Sequence, residues 1–419
     1  MHKKWLEGVI SHVDKNPTSL HPVLEEFKQL IETNTRIFCL ITSMFDQVPN
    51  RRPYTNDPTG HVQIRDYHHL LQVLNHLITT GPTWADKAER VGMVGVPISA
   101  ALDWPMGTPS GFAFFLDPEV NAMLKKLLNV WGDFLRSEES AKQCLGDDNS
   151  GWFSPHGKSD LRAVANNATG SSYAFEELFN CDPTKPYHGY KSWDDFFTRT
   201  FRDGMRPVAS PDDDSIITTA CESKSYNLSY NCQLRDKFWI KGQKYSILDM
   251  LAFDDLAPQF EGGTVYQAFL SALSYHRWHA PVSGKIVKAF VQDGTYYSEP
   301  LFEGVGDPSS NGNIDIQGSV SSQGYITAVG TRAIFFIEAD NPAIGLMAFI
   351  AVGMVEVSTC EITVKVGQHV KKGEQYGMFH FGGSSHCLLF RKGVNVQGFP
   401  QPGGKENTPV RSKLAEVRN

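Results

Sequence analysis

Near the end of the chain, Phe379-His380-Phe381-Gly382-Gly383-Ser384-Ser385 places a hydroxyl directly after two glycines. A Gly-Gly pair opens the backbone to unusual dihedrals and leaves the Gly383 carbonyl sterically accessible to the next hydroxyl. With a base to take its proton and donors to hold an oxyanion, Ser384 can attack that carbonyl. The resulting ester can eliminate to dehydroalanine and hydrolyse to a pyruvoyl group. Taken alone, the segment also fits an ordinary Gly-Ser turn.

Two further segments offer partners for that hydroxyl. Tyr275-His276-Arg277-Trp278-His279-Ala280-Pro281-Val282 holds two histidines around an arginine, enough for a base, a proton donor and a carboxylate clamp. A spacing of three puts the two rings on opposite faces of a strand, or on one face of a helical turn. A surface aromatic-His patch or half of a metal site has the same look. No nearby Cys or carboxylate completes a metal set at the usual spacings, so no metal is expected. In Thr218-Thr219-Ala220-Cys221-Glu222-Ser223, the Glu222 carboxylate could orient a histidine as the third member of a Ser/His/acid set. An ordinary surface glutamate is the competing reading.

The elements that must position these residues change character along the chain. Leu20, Val23, Leu24, Phe27, Leu30 and Ile31 follow the 3–4 spacing of a helix face, and Tyr67, Leu70, Leu71, Leu74, Leu77 and Ile78 repeat it. Asp117-Pro118-Glu119 is a helix start, an N-cap followed by Pro at the first helical position. Val120, Met123, Leu124, Leu127, Trp131, Phe134 and Leu135 make the stripe that follows. Residues 146–151 and 210–214 read as loops, with Trp193 to Arg202 a short amphipathic helix between them. From about 216 the pattern is mainly β. Arg332 to Glu338 is a buried strand, Asp340-Asn341-Pro342 a turn, and Val357 to Val366 continues the strands. VGQHVKKGE, from Val366 to Glu374, is a strand–turn–strand unit, and the stretch from Gly284 to Gly294 is its sister. The polar residues after about Pro402 read as a loose tail.

Bulk properties exclude several classes of protein. The 419 residues allow two or three domains and a large core. A net charge of -7, from 39 basic and 46 acidic residues, disfavours nucleic acid and anionic membrane surfaces. The start brings in acidic and polar residues without an apolar signal segment. The most apolar stretch, Ala343 to Val357, is broken by Gly345 and Gly353 and is shorter than a membrane span needs. Seven cysteines without a CxxC pair fit a reducing cytoplasm, not a disulfide framework.

Taken together, YHRWHAPVSG, VGQHVKKGEQYGMFHFGGSS and SWDDFFTRTFRDGMRP resemble the phosphatidylserine decarboxylase superfamily. The order along the chain matches as well, and the resemblance covers about 190 to 400. The helical first half is similar to the soluble fungal L-tryptophan decarboxylases of that superfamily, and that narrower match is supported along the chain by SGFAFF, LKKLLNVWGDFL, FNCDPTKPYHGYKSWDDFF, ACESKSYNLSY and FHFGGSSHCLLF.

The resemblance implies an α+β chain, with a helical region over residues 1–185 and a mainly β pyruvoyl-decarboxylase catalytic domain over 186–419. It implies self-cleavage between Gly383 and Ser384, with Ser384 becoming a covalent pyruvoyl cofactor and no pyridoxal phosphate or metal required. His276 and His279 align with the two motif histidines. His279 is favoured as the base for cleavage and His276 as a proton donor in decarboxylation, an assignment that can be exchanged. Glu222 stands where phospholipid-specific members carry Asp, which fits the amine-forming branch. His386 has no role in this scheme.

The implied reaction is decarboxylation of a free aromatic amino acid, L-tryptophan to tryptamine, in the cytoplasm by a homo-oligomer or monomer. Phosphatidylserine decarboxylation is the alternative, and it requires a bilayer that the sequence has no device to reach. A biotinyl or lipoyl carrier is a third reading, since VGQHVKKGE and PVSGKIVKAF look like hammerhead halves. It lacks a suitably placed Lys, and the chain is too long.

Overall fold

Polar caps and apolar stripes together define the first half of the molecule. The computed structural model describes residues 2–48, 64–84, 96–236, 245–300, 322–356, 359–381 and 384–418. Helices occupy His2–Lys15, Pro22–Thr33, Thr35–Asp46, Tyr67–Leu77, Pro97–Met106, Pro109–Leu116, Pro118–Leu135, Glu138–Cys144 and Pro155–Asn167. Most begin where a side chain takes one of the orphan first-turn amides. Asn34, Asp66, Thr108, Asp117 and Ser154 do so, the last three with Pro at the first helical position. The stripes expected from sequence are the buried faces: Val23, Leu24, Phe27 and Ile31 on one helix, Leu70, Leu71, Leu74 and Leu77 on another.

The helix expected over Trp193 to Arg202 is shorter, Trp193–Phe197. The Thr198 hydroxyl donates back to the Asp194 carbonyl at 2.8 Å, closing the last turn. The next side chain leaves the helix altogether. Arg199 is buried, and its guanidinium donates to the carbonyls of Leu273 and Ser274 at 2.7 and 3.2 Å. Those bonds hold the loop that leads to His276.

From residue 216 the described chain is mainly strands. They are β1 (Ile216–Thr218), β2 (Lys224–Cys232), β3 (Gly263–Leu270), β4 (Arg277–His279), β5 (Gly284–Gln292), β6 (Arg332–Ala339), β7 (Leu346–Gly353), β8 (Thr359–Ile362), β9 (His369–Val370), β10 (Gln375–His380), β11 (Ser384–Phe390), β12 (Val396–Gln397) and β13 (Lys413–Val417). A seven-stranded sheet has the order β2-β3-β11-β7-β6-β5-β9, and two three-stranded sheets are β4-β10-β8 and β1-β13-β12. Neighbouring strands run antiparallel, so helices followed by such sheets make an α+β fold. β7 and β11 are buried at every position, as strands covered on both faces must be.

The two sister units pair with each other, Gly284 opposite Val370 and Lys285 opposite His369. The expected turn after Arg332–Ala339 is present, with Gly345 at φ 57° before β7 begins. Of the stretch from Val357 to Val366, Val357 and Ser358 lie outside the described residues, and β8 covers 359–362.

The tail departs most from expectation. It is not loose: β13 lies between β1 and β12, with Leu414 and Ala415 buried. Residues 402–406 are exposed, but from Asn407 onward backbone amides donate to buried partners. The Thr408 amide bonds the Ser223 carbonyl at 2.8 Å, and the Arg411 amide bonds the Thr219 carbonyl at 2.9 Å.

Helices and sheets share one continuous apolar core. Trp131 illustrates the join. Its indole N–H donates to the Thr80 carbonyl at 3.0 Å, and its ring lies 6.1 Å from that of Phe381, just before the Gly-Gly-Ser segment. Trp131→Ala should lower unfolding free energy by about 3–5 kcal/mol, the usual cost of a large buried aromatic. Denaturant titration of the purified chain measures this directly.

Candidate active site

The seven-stranded sheet brings the sequence-derived residues to one of its ends. Ser384, the first residue of β11, lies opposite Leu270 on β3 and opposite Gly353 on β7. Leu270 ends β3, and the loop that follows carries Tyr275 and His276. Lys224, paired with Phe269, begins β2 just after Glu222. Thus Glu222, His276 and Ser384 arrive at the same strand ends through three different segments.

His276 and His279 are both buried, but the backbone holds them at different distances from the serine. The His276 carbonyl accepts from the Phe379 amide at 2.9 Å, and its ring stacks on Phe197 at 4.0 Å. His279 lies opposite Gln375, near the far end of β10 from Ser384. Its Nε2 is 3.0 Å from the Tyr275 hydroxyl and its Nδ1 is 2.9 Å from the Gly373 carbonyl. A carbonyl only accepts, so Nδ1 carries the hydrogen and Nε2 is the basic nitrogen, taking the Tyr275 hydroxyl. Arg411 Nε then donates to the Gly373 carbonyl, at 3.0 Å. Burial, reinforced by the Arg411 charge, pushes the His279 imidazole down to about 3.

Glu222 is buried, and its carboxylate meets a guanidinium rather than an imidazole. Arg206 Nε donates to Oε2 at 2.7 Å and Nη2 to Oε1 at 2.6 Å, a bidentate pair with both side chains enclosed. The Val410 amide adds a third donor at 3.2 Å. Arg206 is the Arg of the SWDDFF…RP approach, so the pair ties that motif, the acid and the tail together. The bonds of His279 go instead to Tyr275 and Gly373, with the Arg411 guanidinium sharing the Gly373 carbonyl.

Ser384 itself is wholly buried, and its Oγ has no hydrogen-bond partner among the described residues. Gly382 and Gly383 lie outside the described residues. The approach to them is firmly held. His380 Nδ1 is 2.8 Å from Asp194 and its Nε2 is 3.0 Å from Glu361. Phe381 follows at φ 81°, a left-handed conformation that a bulky side chain rarely takes. Its ring is fixed by Trp131 and by the Arg136 guanidinium, 5.1 Å from the ring centroid.

Side chains alternate along β11, so Ser384 and His386 face one way and Ser385 the other. Ser385 Oγ bonds Gln267 Nε2 at 2.8 Å and the Ala268 carbonyl at 3.2 Å. That leaves Ser384 as the uncommitted hydroxyl of the pair. Opposite it Gly353 offers no side chain, so an orphaned hydroxyl and an open neighbour suit conversion of Ser384 to a covalent group. His386 is enclosed between the rings of Phe349 and Tyr266, and neither ring nitrogen has a partner among the described residues. Burial pushes its imidazole down to about 3.

Reading the sequence had assigned no role to Arg206, Arg411, Tyr275, Asp194, His380, Glu361 or Glu356. Arg206, Tyr275, Asp194 and His380 stand inside the motifs that carried the resemblance. Glu356 had a signal of its own, as a lone carboxylate in the most apolar stretch of the chain.

The neutral histidines have a consequence for stability. His279 and His386 titrate near 3 when folded and near 6.5 when unfolded, so below pH 6.5 the unfolded chain binds more protons. Stability should fall as pH drops from about 6.5 toward 3, by up to about 1.4 kcal/mol per pH unit for each ring. His386→Phe should flatten that slope by about half, as read from denaturation midpoints between pH 7 and 4.

Comparison with known proteins accords with this geometry. Two family models, both described as phosphatidylserine decarboxylase, match residues 21–161 and 193–411. The chain is 37% identical to an L-tryptophan decarboxylase of Psilocybe cubensis, over 93% of this chain and 85% of that protein. It is 45% identical to the decarboxylase iboD of Amanita muscaria, over 71% of this chain and 84% of that one. It is 28% identical to phosphatidylserine decarboxylase proenzyme 3 of Schizosaccharomyces pombe, over 50% of this chain and 20% of that one. Two separate matches along one chain, and similarity running through the helices into the Ser384 strand, leave one conclusion: the chain belongs to the phosphatidylserine decarboxylase family, whose members are pyruvoyl-dependent carboxy-lyases.

Proposed function

We propose that this protein cuts itself between Gly383 and Ser384 and then decarboxylates a free aromatic amino acid, L-tryptophan to tryptamine. The observation that carries the substrate is the extent of similarity to the Psilocybe cubensis L-tryptophan decarboxylase, which spans 93% of the chain and includes its helical region. We read residues 1–185 and 186–419 as two units of one cytoplasmic enzyme acting on a dissolved substrate. No helix among the described residues is long and apolar enough to cross a membrane.

The residues divide the work as follows. Ser384 Oγ attacks the Gly383 carbonyl, and the cut leaves residues 384–419 as a small chain carrying the modified residue. His279, neutral because it is buried, is the base that assists this attack; a charged imidazole could not take the proton. Tyr275, bonded to its Nε2, is the group through which that proton can pass. Glu222 acts through Arg206 and the tail, keeping the segment beside His279 in place. Once formed, the pyruvoyl group supplies a carbonyl for the substrate amine and an electron sink for the bond that releases carbon dioxide. His276, whose backbone is the nearer of the two to Ser384, donates the proton that replaces the lost carboxylate.

Phosphatidylserine decarboxylation is the second reading, favoured by the description of both matching family models. It shares the cleavage step and differs in substrate alone.

Denaturing gels of the wild-type protein should show two chains, and Ser384→Ala should stay whole and inactive. His279→Ala should slow cutting about 100-fold or more, as loss of a general base does. His276→Ala should cut but turn over feebly. The opposite pattern would exchange their roles, and an active uncut wild type would refute the mechanism.

The substrate is tested by offering the cut enzyme tryptophan, tyrosine, phenylalanine and phosphatidylserine vesicles, while measuring carbon dioxide and amine. Tryptophan should lead. Turnover of the vesicles alone would leave the self-cleavage standing and replace the substrate.

A further inference from the structure

One buried carboxylate at the Ser384 end of the sheet has no task in the scheme above. β7 ends at Gly353, opposite Ser384, and three residues later comes Glu356. Residues paired across antiparallel strands lie about 5 Å apart, and three residues of chain reach at most about 10 Å. The chain therefore keeps Glu356 within about 15 Å of Ser384, at the same end of the sheet. It is 1% exposed.

The two oxygens of this carboxylate are treated differently. Oε1 accepts from the amides of Ile98 and Ser99, in the first turn of the Pro97–Met106 helix, the latter at 2.8 Å. Oε2 is buried and has no hydrogen-bond partner among the described residues. Leaving such an oxygen unpaired is costly, and native proteins usually do so for a ligand or a reaction. Tyr297 is a titratable group within reach of the Glu356 charge. Burial raises its hydroxyl well above the ordinary range, and the Glu356 charge adds to the rise. The Tyr297 hydroxyl is also buried without a partner among the described residues, and its ring meets Phe115 of the helical region at 6.1 Å.

We propose that Glu356 Oε2 receives the α-ammonium group of the amino-acid substrate and takes one of its protons, releasing the free amine at Ser384. This rests on the reading of the protein as an amino-acid decarboxylase, and it holds whichever amino acid is used. The step is balanced. One N–H bond breaks, one O–H bond forms on Oε2, and the electron pair stays on nitrogen, where it can attack a carbonyl. A carboxylate and an ammonium become a carboxylic acid and an amine, so the pair keeps its net charge. In a dry site the neutral pair is favoured over two desolvated ions.

The environment suits that exchange. Burial raises the Glu356 carboxyl to about 8, against the opposing pull of the Ser99, Glu356 and Ile98 amides. That brings it toward the range of an amine, so the ionised form, which an arriving ammonium favours and which grows as pH rises toward 8, can take the proton. Because both helix amides fix Oε1, the arriving proton is directed to Oε2.

The test uses the full-length protein after it has cut itself. Glu356→Gln should still produce two chains, while its kcat/KM for tryptophan falls about 100-fold or more. The helix amides require the side-chain oxygen, so the new NH2 would stand at the Oε2 position and repel an ammonium. Competitive inhibition by tryptamine should weaken at least about 10-fold, and inhibition by indole-3-propionate, which has no amine, should be unchanged. Glu356→Asp keeps a carboxylate and should recover part of the tryptamine affinity. Equal losses for both inhibitors, unchanged kcat/KM, or a Glu356→Gln chain that stays uncut would overturn the proposal. A wild-type enzyme that decarboxylates no free amino acid would instead overturn the functional reading on which it rests.

Discussion

Ser384 opens a strand that has partners on both sides, and this one placement constrains the rest of the molecule. β11 is hydrogen-bonded to β3 and β7 along its whole length, and each of its side chains is buried. A cut just before Ser384 therefore creates a new chain end inside the sheet rather than at the surface. The fragment that follows also contributes β13, which lies between β1 and β12. Two strands, β11 and β13, would thus hold a small chain beginning at Ser384 to the rest without a peptide bond. Self-cleavage demands strain and openness at Gly383–Ser384, and permanence demands the opposite from every residue after it. A change at Ser384, the first residue of the strand, would let the fold meet both demands.

Burial at this site also fixes its electrostatics. A charged imidazole would lose its hydration in the core, so His279 and His386 are held neutral. The enclosed ionic pair of Glu222 with Arg206 is bidentate and has a further amide donor from Val410. Such a pair contributes little net stability, because desolvation offsets most of the attraction, yet removing one partner would strand a charge. Its more plausible value is geometric. It fastens the SWDDFF…RP approach and the C-terminal tail to the segment whose Ala220 carbonyl accepts from the His279 amide at 2.8 Å. Glu222 then reaches the histidine through backbone rather than by direct contact.

Much of this was legible in the chain itself. The α+β order, the helix starts at Asp117 and the stripes over 20–31 and 67–78 follow from caps and periodicity, which are local properties. Ser384, His276 and Glu222 could be singled out because their residue types suit the chemistry and their motifs match a family. What stayed hidden depended on pairing between distant segments. The tail from Pro402 reads as polar, and its donors find buried acceptors only when β13 enters between β1 and β12. The helix at Trp193 stops early because Arg199 turns inward to the Leu273 and Ser274 carbonyls, which no local pattern announces. The partner of Glu222 was similarly invisible, since an acid near a histidine motif suggests a histidine and the fold supplies an arginine.

The helices that precede the sheets reach the Ser384 end at three points, and their distribution bears on what they do there. Trp131 and Arg136 hold Phe381 in its left-handed conformation, three residues before Ser384. Asp194 takes His380, the residue before it. The first turn of the Pro97–Met106 helix holds Glu356 on the far side of β11, past the end of β7. The first two contacts bear on the approach to Ser384 and the third on the space beyond it. A catalytic sheet alone could carry the serine and the histidines, because those belong to its own strands and loops. The groups that would meet an amino acid, however, are oriented by amides and rings from the first half of the chain. The similarity to an L-tryptophan decarboxylase extends through those same helices, so the contacts between helix and sheet lie within the part of the chain that the two proteins share.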